Sequence, residues 1–209
     1  MATLTVESEA PAPVQVSLIA PGDPGIIGLP IFAAGSVCLG LALVGYVPAA
    51  AVGGVLPIVL AATGIGLVIA TIWSIAVGQT VVAGVFGLFA GFWLSYSLLL
   101  FGVLHNWFLV PAGNVTHVEA MFLITWAIVM GALTIATLRL PLAFTAVFAL
   151  VVLALTLLVP ATLNADSGLT HAAGVVVLAF AALGIYLFLG AASVALGGAA
   201  YPLGKPLLK

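Results

Sequence analysis

Residues 118–163 read VEAMFLITWAIVMGALTIATLRLPLAFTAVFALVVLALTLLVPATL. Two apolar runs meet here at a turn, Arg139-Leu140-Pro141, and Glu119 and Arg139 are the only charged side chains in the stretch. At ~1.5 Å rise per residue, ~20 apolar residues cross the ~30 Å hydrocarbon core of a bilayer, and each run is that long. Neither run shows the ten-residue alternation of a barrel strand, so both predict helices. Four more runs of the same kind lie at 26–46, 50–74, 79–104 and 171–196. The whole chain is 65% hydrophobic and 4% charged, too few charges to coat a water-soluble domain of 209 residues. The fold class expected is therefore all-α: a six-transmembrane-helix integral membrane protein with its membrane domain over 23–199.

Six spans place both chain ends on one side. Arg139, in the turn between spans four and five, falls on that side with Lys205 and Lys209 in the 200–209 tail. The positive-inside rule makes it the cytoplasmic side, in the cell membrane. Met1–Gly22 carries Glu7, Glu9 and three prolines without a basic start and apolar core, so it reads as a disordered cytoplasmic tail and not a signal peptide. Pro57 inside span two predicts a bend.

Several function classes are disfavoured by composition. No basic patch invites nucleic acid, and Cys38 is the lone cysteine, so no intrachain disulfide can form. No metal-ligand cluster, phosphate-binding glycine loop or nucleophile–base pair is present. The expectation is a non-enzyme with no cofactor whose partners are the lipid bilayer and a small solute. No ionisable side chain falls near the middle of a span, where one costs ~2.5–3.5 kcal/mol or more. Glu119 and Arg139 sit at span ends, so the sequence predicts little means for the protein to carry a proton itself.

The polar groups left inside the spans are mostly hydroxyls, and each can return to a backbone carbonyl one turn back or line a narrow path. Ser95-Tyr96-Ser97 is the densest group; successive residues of a helix point different ways, so these cannot all face one lumen. Ser95 and Tyr186 are the candidates for solute contact. His105, His117 and His171 lie at ends expected to face outward and are candidate pH sensors, since histidine titrates near physiological pH. Gly87 and Gly91 form a small-x-x-x-small pair that predicts close helix packing, within or between subunits.

Several segments in order along the chain resemble the acetate uptake transporter family, of the succinate–acetate permease type. Asp23-Pro24-Gly25-Ile26-Ile27-Gly28-Leu29 is similar to that family's helix-one opening, Asn-Pro-x-Pro-Leu-Gly-Leu, with Asp for Asn and Ile26 for the second Pro. Gly87-Leu88-Phe89-Ala90-Gly91-Phe92-Trp93-Leu94-Ser95 is similar to its third span, and His171-Ala172-Ala173-Gly174 to the opening of its sixth. Val44-Gly45-Tyr46, Thr137-Leu138-Arg139 and Pro202-Leu203-Gly204 extend the likeness over about 180 residues. The Glu and Asn usual near the end of span two are missing here.

The resemblance implies a homo-hexamer with one path per subunit for acetate and related small carboxylates. It also implies a hydrophobic constriction formed by Phe32, Phe89 where the family has Tyr, and Val151, or Leu150 if the register slips by one. The Asp23, Pro24 and Gly28 segment would then shape a helix start whose free N–H groups attract a carboxylate, with Asp23 serving as a cap. The alternative class is a urea or short-amide channel of the six-helix hexameric type, which a path without fixed positive charge would also suit.

Overall fold

The computed structural model describes residues 22–208. The expected disordered tail over 1–22 therefore lies, but for Gly22, outside the described residues. Six helices among the described residues are long and apolar enough to cross a membrane. They are α1 (Gly25–Leu43), α2 (Ala49–Ala76), α3 (Thr80–Leu104), α4 (Val115–Ala136), α5 (Leu142–Asn164) and α6 (Ser167–Ala195).

Three ends differ from the hydropathy reading by three residues or more, and at two of them local hydrogen bonding sets the boundary. α1 ends at Leu43 and not at 46: Gly45 takes a left-handed φ of 83°, and the Tyr46 N–H donates back to the Leu41 carbonyl at 3.0 Å. α6 begins four residues earlier than 171. Asp166 caps it, its Oδ1 accepting from the Leu169 N–H at 3.0 Å, and the polar first turn is invisible to a hydropathy scan. α4 likewise starts at Val115, three residues before 118.

α2 is not one regular helix. A 3₁₀ stretch, Ala49–Val55, is followed by a wide π segment, Pro57–Ile65, and then by α-helix from Gly66 to Ala76. Pro57 has no N–H to give to the preceding turn, so the helix changes pitch there. The Thr63 hydroxyl donates across to the Ile31 carbonyl at 3.2 Å and ties the π segment to α1.

The helices are arranged so that sequence neighbours touch, and α6 closes back on α1. The seam between α3 and α4 is the sparsest, and aromatic side chains fill it: Phe92 lies edge-on to Trp126 at 5.5 Å and against Phe122 at 5.8 Å. Gly87 and Gly91 sit where α3 meets Thr71 of α2 and Trp126 of α4, so their small size serves packing within the subunit. Buried hydroxyls are satisfied locally, as with Ser36 to the Phe32 carbonyl and Ser74 to the Ala70 carbonyl. Large apolar side chains, such as Ile65, Ile69 and Ile72 on α2 and Met121 and Ile128 on α4, face outward. That inverted surface suits lipid.

The C-terminal segment is docked against the bundle. The Leu207 and Leu208 N–H groups donate to the Leu138 carbonyl at 3.1 and 3.0 Å, and the Ala143 N–H donates to the Leu203 carbonyl at 2.9 Å. These bonds hold residues 203–208 against the turn between α4 and α5.

Candidate functional site

A cavity of about 220 Å³ lies inside the bundle. α3 contributes Phe89, Phe92, Trp93 and Tyr96, whose spacing of three and four residues puts them on one helical face. Phe32 and Leu39 come from α1, Val151 and Leu155 from α5, and Val177 and Phe180 from α6. The wall is overwhelmingly apolar. At one end it closes on a chain of rings. Phe32 meets Phe89 with centroids 4.7 Å apart, Phe180 stacks on Phe32 at 5.8 Å, and Phe148 stacks on Phe89 at 6.0 Å. Gly184 of α6 makes room for this: a Cβ there would stand 3.2 Å from Phe32 Cδ1.

At the other end the cavity meets a wider recess of about 650 Å³, where α1 and α5 finish and α4 and α6 begin. The two volumes share Leu43, Glu119 and Thr162. The recess is more polar than the cavity, with Thr116, Ser167, Thr170 and His171 in its wall as well. A two-residue turn between α5 and α6 shapes it, with Ala165 held left-handed at φ 50° and Asp166 capping α6.

The structure brings together some of the residues expected from sequence and separates others. Phe32, Phe89 and Val151 line one cavity, whereas Leu150 is half-buried behind it, so the register without the slip is the one that faces the cavity. Phe148 and Phe180 complete the ring chain and were not expected; an isolated Phe among apolar neighbours carries no signal of its own. Asp23, Pro24 and Gly28 are away from the cavity. Asp23 Oδ1 accepts from the Gly25 N–H at 2.8 Å, Pro24 is buried as the N-cap, and a Cβ on Gly28 would fall within the Phe86 ring. Their geometry is that of a helix start packed on α3.

Ser95 donates to the Gly91 carbonyl at 2.6 Å and is not on the cavity, while its neighbour Tyr96 is. The Tyr186 hydroxyl donates to the Pro202 carbonyl at 2.8 Å and anchors the C-terminal segment. The histidines do not act as a group. His105 packs in a cluster with Phe101 and Trp107, His117 is exposed, and His171 alone of the three lines the recess.

Two further side chains stand out in the structure. Trp93 lines the cavity at 2% exposure, and its Nε1 is a buried side-chain donor with no partner among the described residues. Buried indole N–H groups usually find an acceptor. Glu119 reads as a span-end charge, yet it borders both the recess and the apolar cavity. Its place five residues into a helix whose start lies earlier than hydropathy suggests is what hid this.

Fold and site together define an integral membrane protein whose helices enclose an apolar cavity, bordered by a recess at one end and by aromatic rings at the other. The chain belongs to the GPR1/FUN34/yaaH family, which matches residues 6–201. A solved structure, "Structure of the bacterial acetate channel SatP", shares the fold with a TM-score of 0.77 at 24% identity, over 88% of this chain and 100% of that one. Comparison with curated proteins gives no match.

Proposed function

We propose that this protein conducts acetate and related short monocarboxylates across the cell membrane, through a path in each subunit. The observation that carries this reading is the line of volumes from a polar recess, past Glu119 and Thr162, into an apolar cavity floored by Phe32 and Phe89. Membership of the GPR1/FUN34/yaaH family and the fold shared with an acetate channel support it.

Phe32, Phe89 and Val151, with Phe148 and Phe180, act as an apolar neck. Such a neck dewets and rejects hydrated ions, because a bare charge in an apolar surround is very costly. A short carboxylic acid offers a small apolar body and one polar end, which suits a cavity of this character. His171 and the hydroxyls of Thr116, Ser167 and Thr170 receive the solute at the mouth. The recess faces outward and both termini face the cytoplasm, with Arg139 and Lys205 on the inner side. Subunits associate as a homo-hexamer, for which the outward apolar faces of α2 and α4 leave ample surface.

Uptake of labelled acetate and labelled urea into liposomes holding the purified protein tests the function. Acetate uptake well above the protein-free leak, with urea at the leak, is the expected result. Urea uptake without acetate uptake would replace this reading by an amide channel. For the orientation, single cysteines at Asn114 and Lys205 should label from opposite sides of the membrane.

A further inference from the structure

Glu119 presents a contradiction for an anion path. It is half-buried where the recess borders the apolar cavity, so a solute moving from one to the other passes it. A carboxylate fixed there would repel an arriving carboxylate and would itself be poorly solvated on its cavity side. The groups around it come from every neighbouring element. α3 supplies the Tyr96 hydroxyl, α5 supplies Thr162, and α6 supplies His171 with Thr170. Asp166 caps α6 and His117 is exposed on α4. None of the residues lining either volume is a lysine or arginine that could neutralise the charge.

We propose that Glu119 exchanges its proton with the entering solute, so that the acid crosses the cavity uncharged. The inference rests on the acetate reading above. The step balances simply. Glu119 in its carboxylic form donates its proton to the acetate carboxylate, which becomes neutral acetic acid, and Glu119 is left as the carboxylate. A proton from the outer water, reaching Glu119 through the recess beside His171, restores it. The chemistry is well matched. The two carboxyl groups have intrinsic pKa values near ~4–4.5, so the transfer is close to thermoneutral. A carboxyl–carboxylate hydrogen bond in a partly dry site is also among the strong ones. The neutral acid then meets a wall of Leu39, Leu155 and Val177 that an anion could not. The sequence places no carboxyl mid-membrane, and none is needed: the proton rides on the solute once Glu119 has delivered it.

The two possible roles of Glu119 predict opposite signs. Acetate uptake into proteoliposomes is measured at external pH of about 5 and about 7.5, where acetate is almost wholly the anion at the higher value. If Glu119 delivers the proton, Glu119→Gln lowers protein-mediated flux at the higher pH by roughly tenfold or more, ~1.4 kcal/mol in the barrier. It leaves most of the flux at the lower pH, where neutral acid is supplied by the bulk, and Glu119→Asp recovers part of the loss. Unchanged or increased flux at the higher pH in Glu119→Gln overturns the inference and makes Glu119 a repulsive charge only. No acetate flux in the unmodified protein would instead overturn the acetate reading, and this inference with it. A measurement on the unmodified protein guards against a misfolded variant. In infrared difference spectra, adding ¹³C-acetate should bleach a ¹²C protonated-carboxyl band of the protein; no bleach overturns the inference.

Discussion

The two ends of the cavity are built from different materials. One end borders a recess of about 650 Å³ whose wall includes Thr116, Ser167, Thr170 and His171. The other closes on a chain of four rings, Phe180, Phe32, Phe89 and Phe148, with neighbouring centroids 4.7–6.0 Å apart. Polar groups at a wide mouth can hold a hydrated carboxylate loosely, which favours entry without trapping. Rings at the floor offer no hydrogen bond and little room, so passage there is decided by size and desolvation. On the proposed function, capture falls to the mouth and selectivity to the floor, and single substitutions test that division.

The floor should give the largest effects. Phe32→Ala removes the ring that contacts both Phe89 and Phe180. Flux of butyrate relative to acetate should rise about tenfold, as for a barrier lowered by ~1.4 kcal/mol. Truncating a buried Phe also costs ~3–5 kcal/mol in soluble cores, so thermal stability in detergent is measured beside flux. Unchanged selectivity in a well-folded variant would move the neck elsewhere.

Gly184→Ala tests the same ring from behind. Its Cβ would press on Phe32 from 3.2 Å and leave Phe32 to shift by a few tenths of an ångström. Acetate flux should fall severalfold while stability holds or improves, since Ala in a helix interior gains ~0.5–1 kcal/mol over Gly. Lower flux in a more stable protein cannot be blamed on unfolding.

Trp93→Phe acts between floor and mouth. It removes a donor that has no protein acceptor, so no internal hydrogen bond is lost. The fold should survive, and the acetate concentration for half-maximal uptake should rise by roughly fivefold, the ~1 kcal/mol of one hydrogen bond. An unchanged half-saturation would leave Trp93 as wall.

The mouth should give smaller effects. His171→Gln should change acetate uptake by about twofold, the scale of a partly screened interaction of a few tenths of a kcal/mol. His105→Gln and His117→Gln should have no effect on uptake, because neither side chain lines the path. Equal effects from all three would restore them as a common sensor. Tyr186→Phe is the smallest in transport. It breaks the bond to the Pro202 carbonyl, so stability should drop by ~0.5–1.5 kcal/mol with flux unchanged.

Much of this molecule is legible in its sequence. Span length and composition give six membrane helices, because a hydrocarbon core admits no other open-chain solution for backbone polar groups. Phe32, Phe89 and Val151 could be named through family resemblance, since aligned positions carry over between chains of one fold. The sequence alone did not bring Phe148 and Phe180 to them. These residues come from helices far apart in the chain, and an apolar side chain on an apolar helix gives no sign of which way it faces.

Ser95 and Tyr96 mark the same limit. Both are polar neighbours on α3, and helix rotation sends one to its own backbone and the other to the cavity. The histidines, equal as titratable residues near span ends, were sorted by loop and helix packing. Glu119 was legible as a charge near a membrane boundary. Its position between a wet recess and a dry cavity follows from how α1, α4, α5 and α6 end together. Sequence thus determined the solvent, the helices and the stock of polar groups, which depend on local composition. Tertiary structure decided which of those groups face the cavity and the recess, because facing and proximity arise only when distant helices pack.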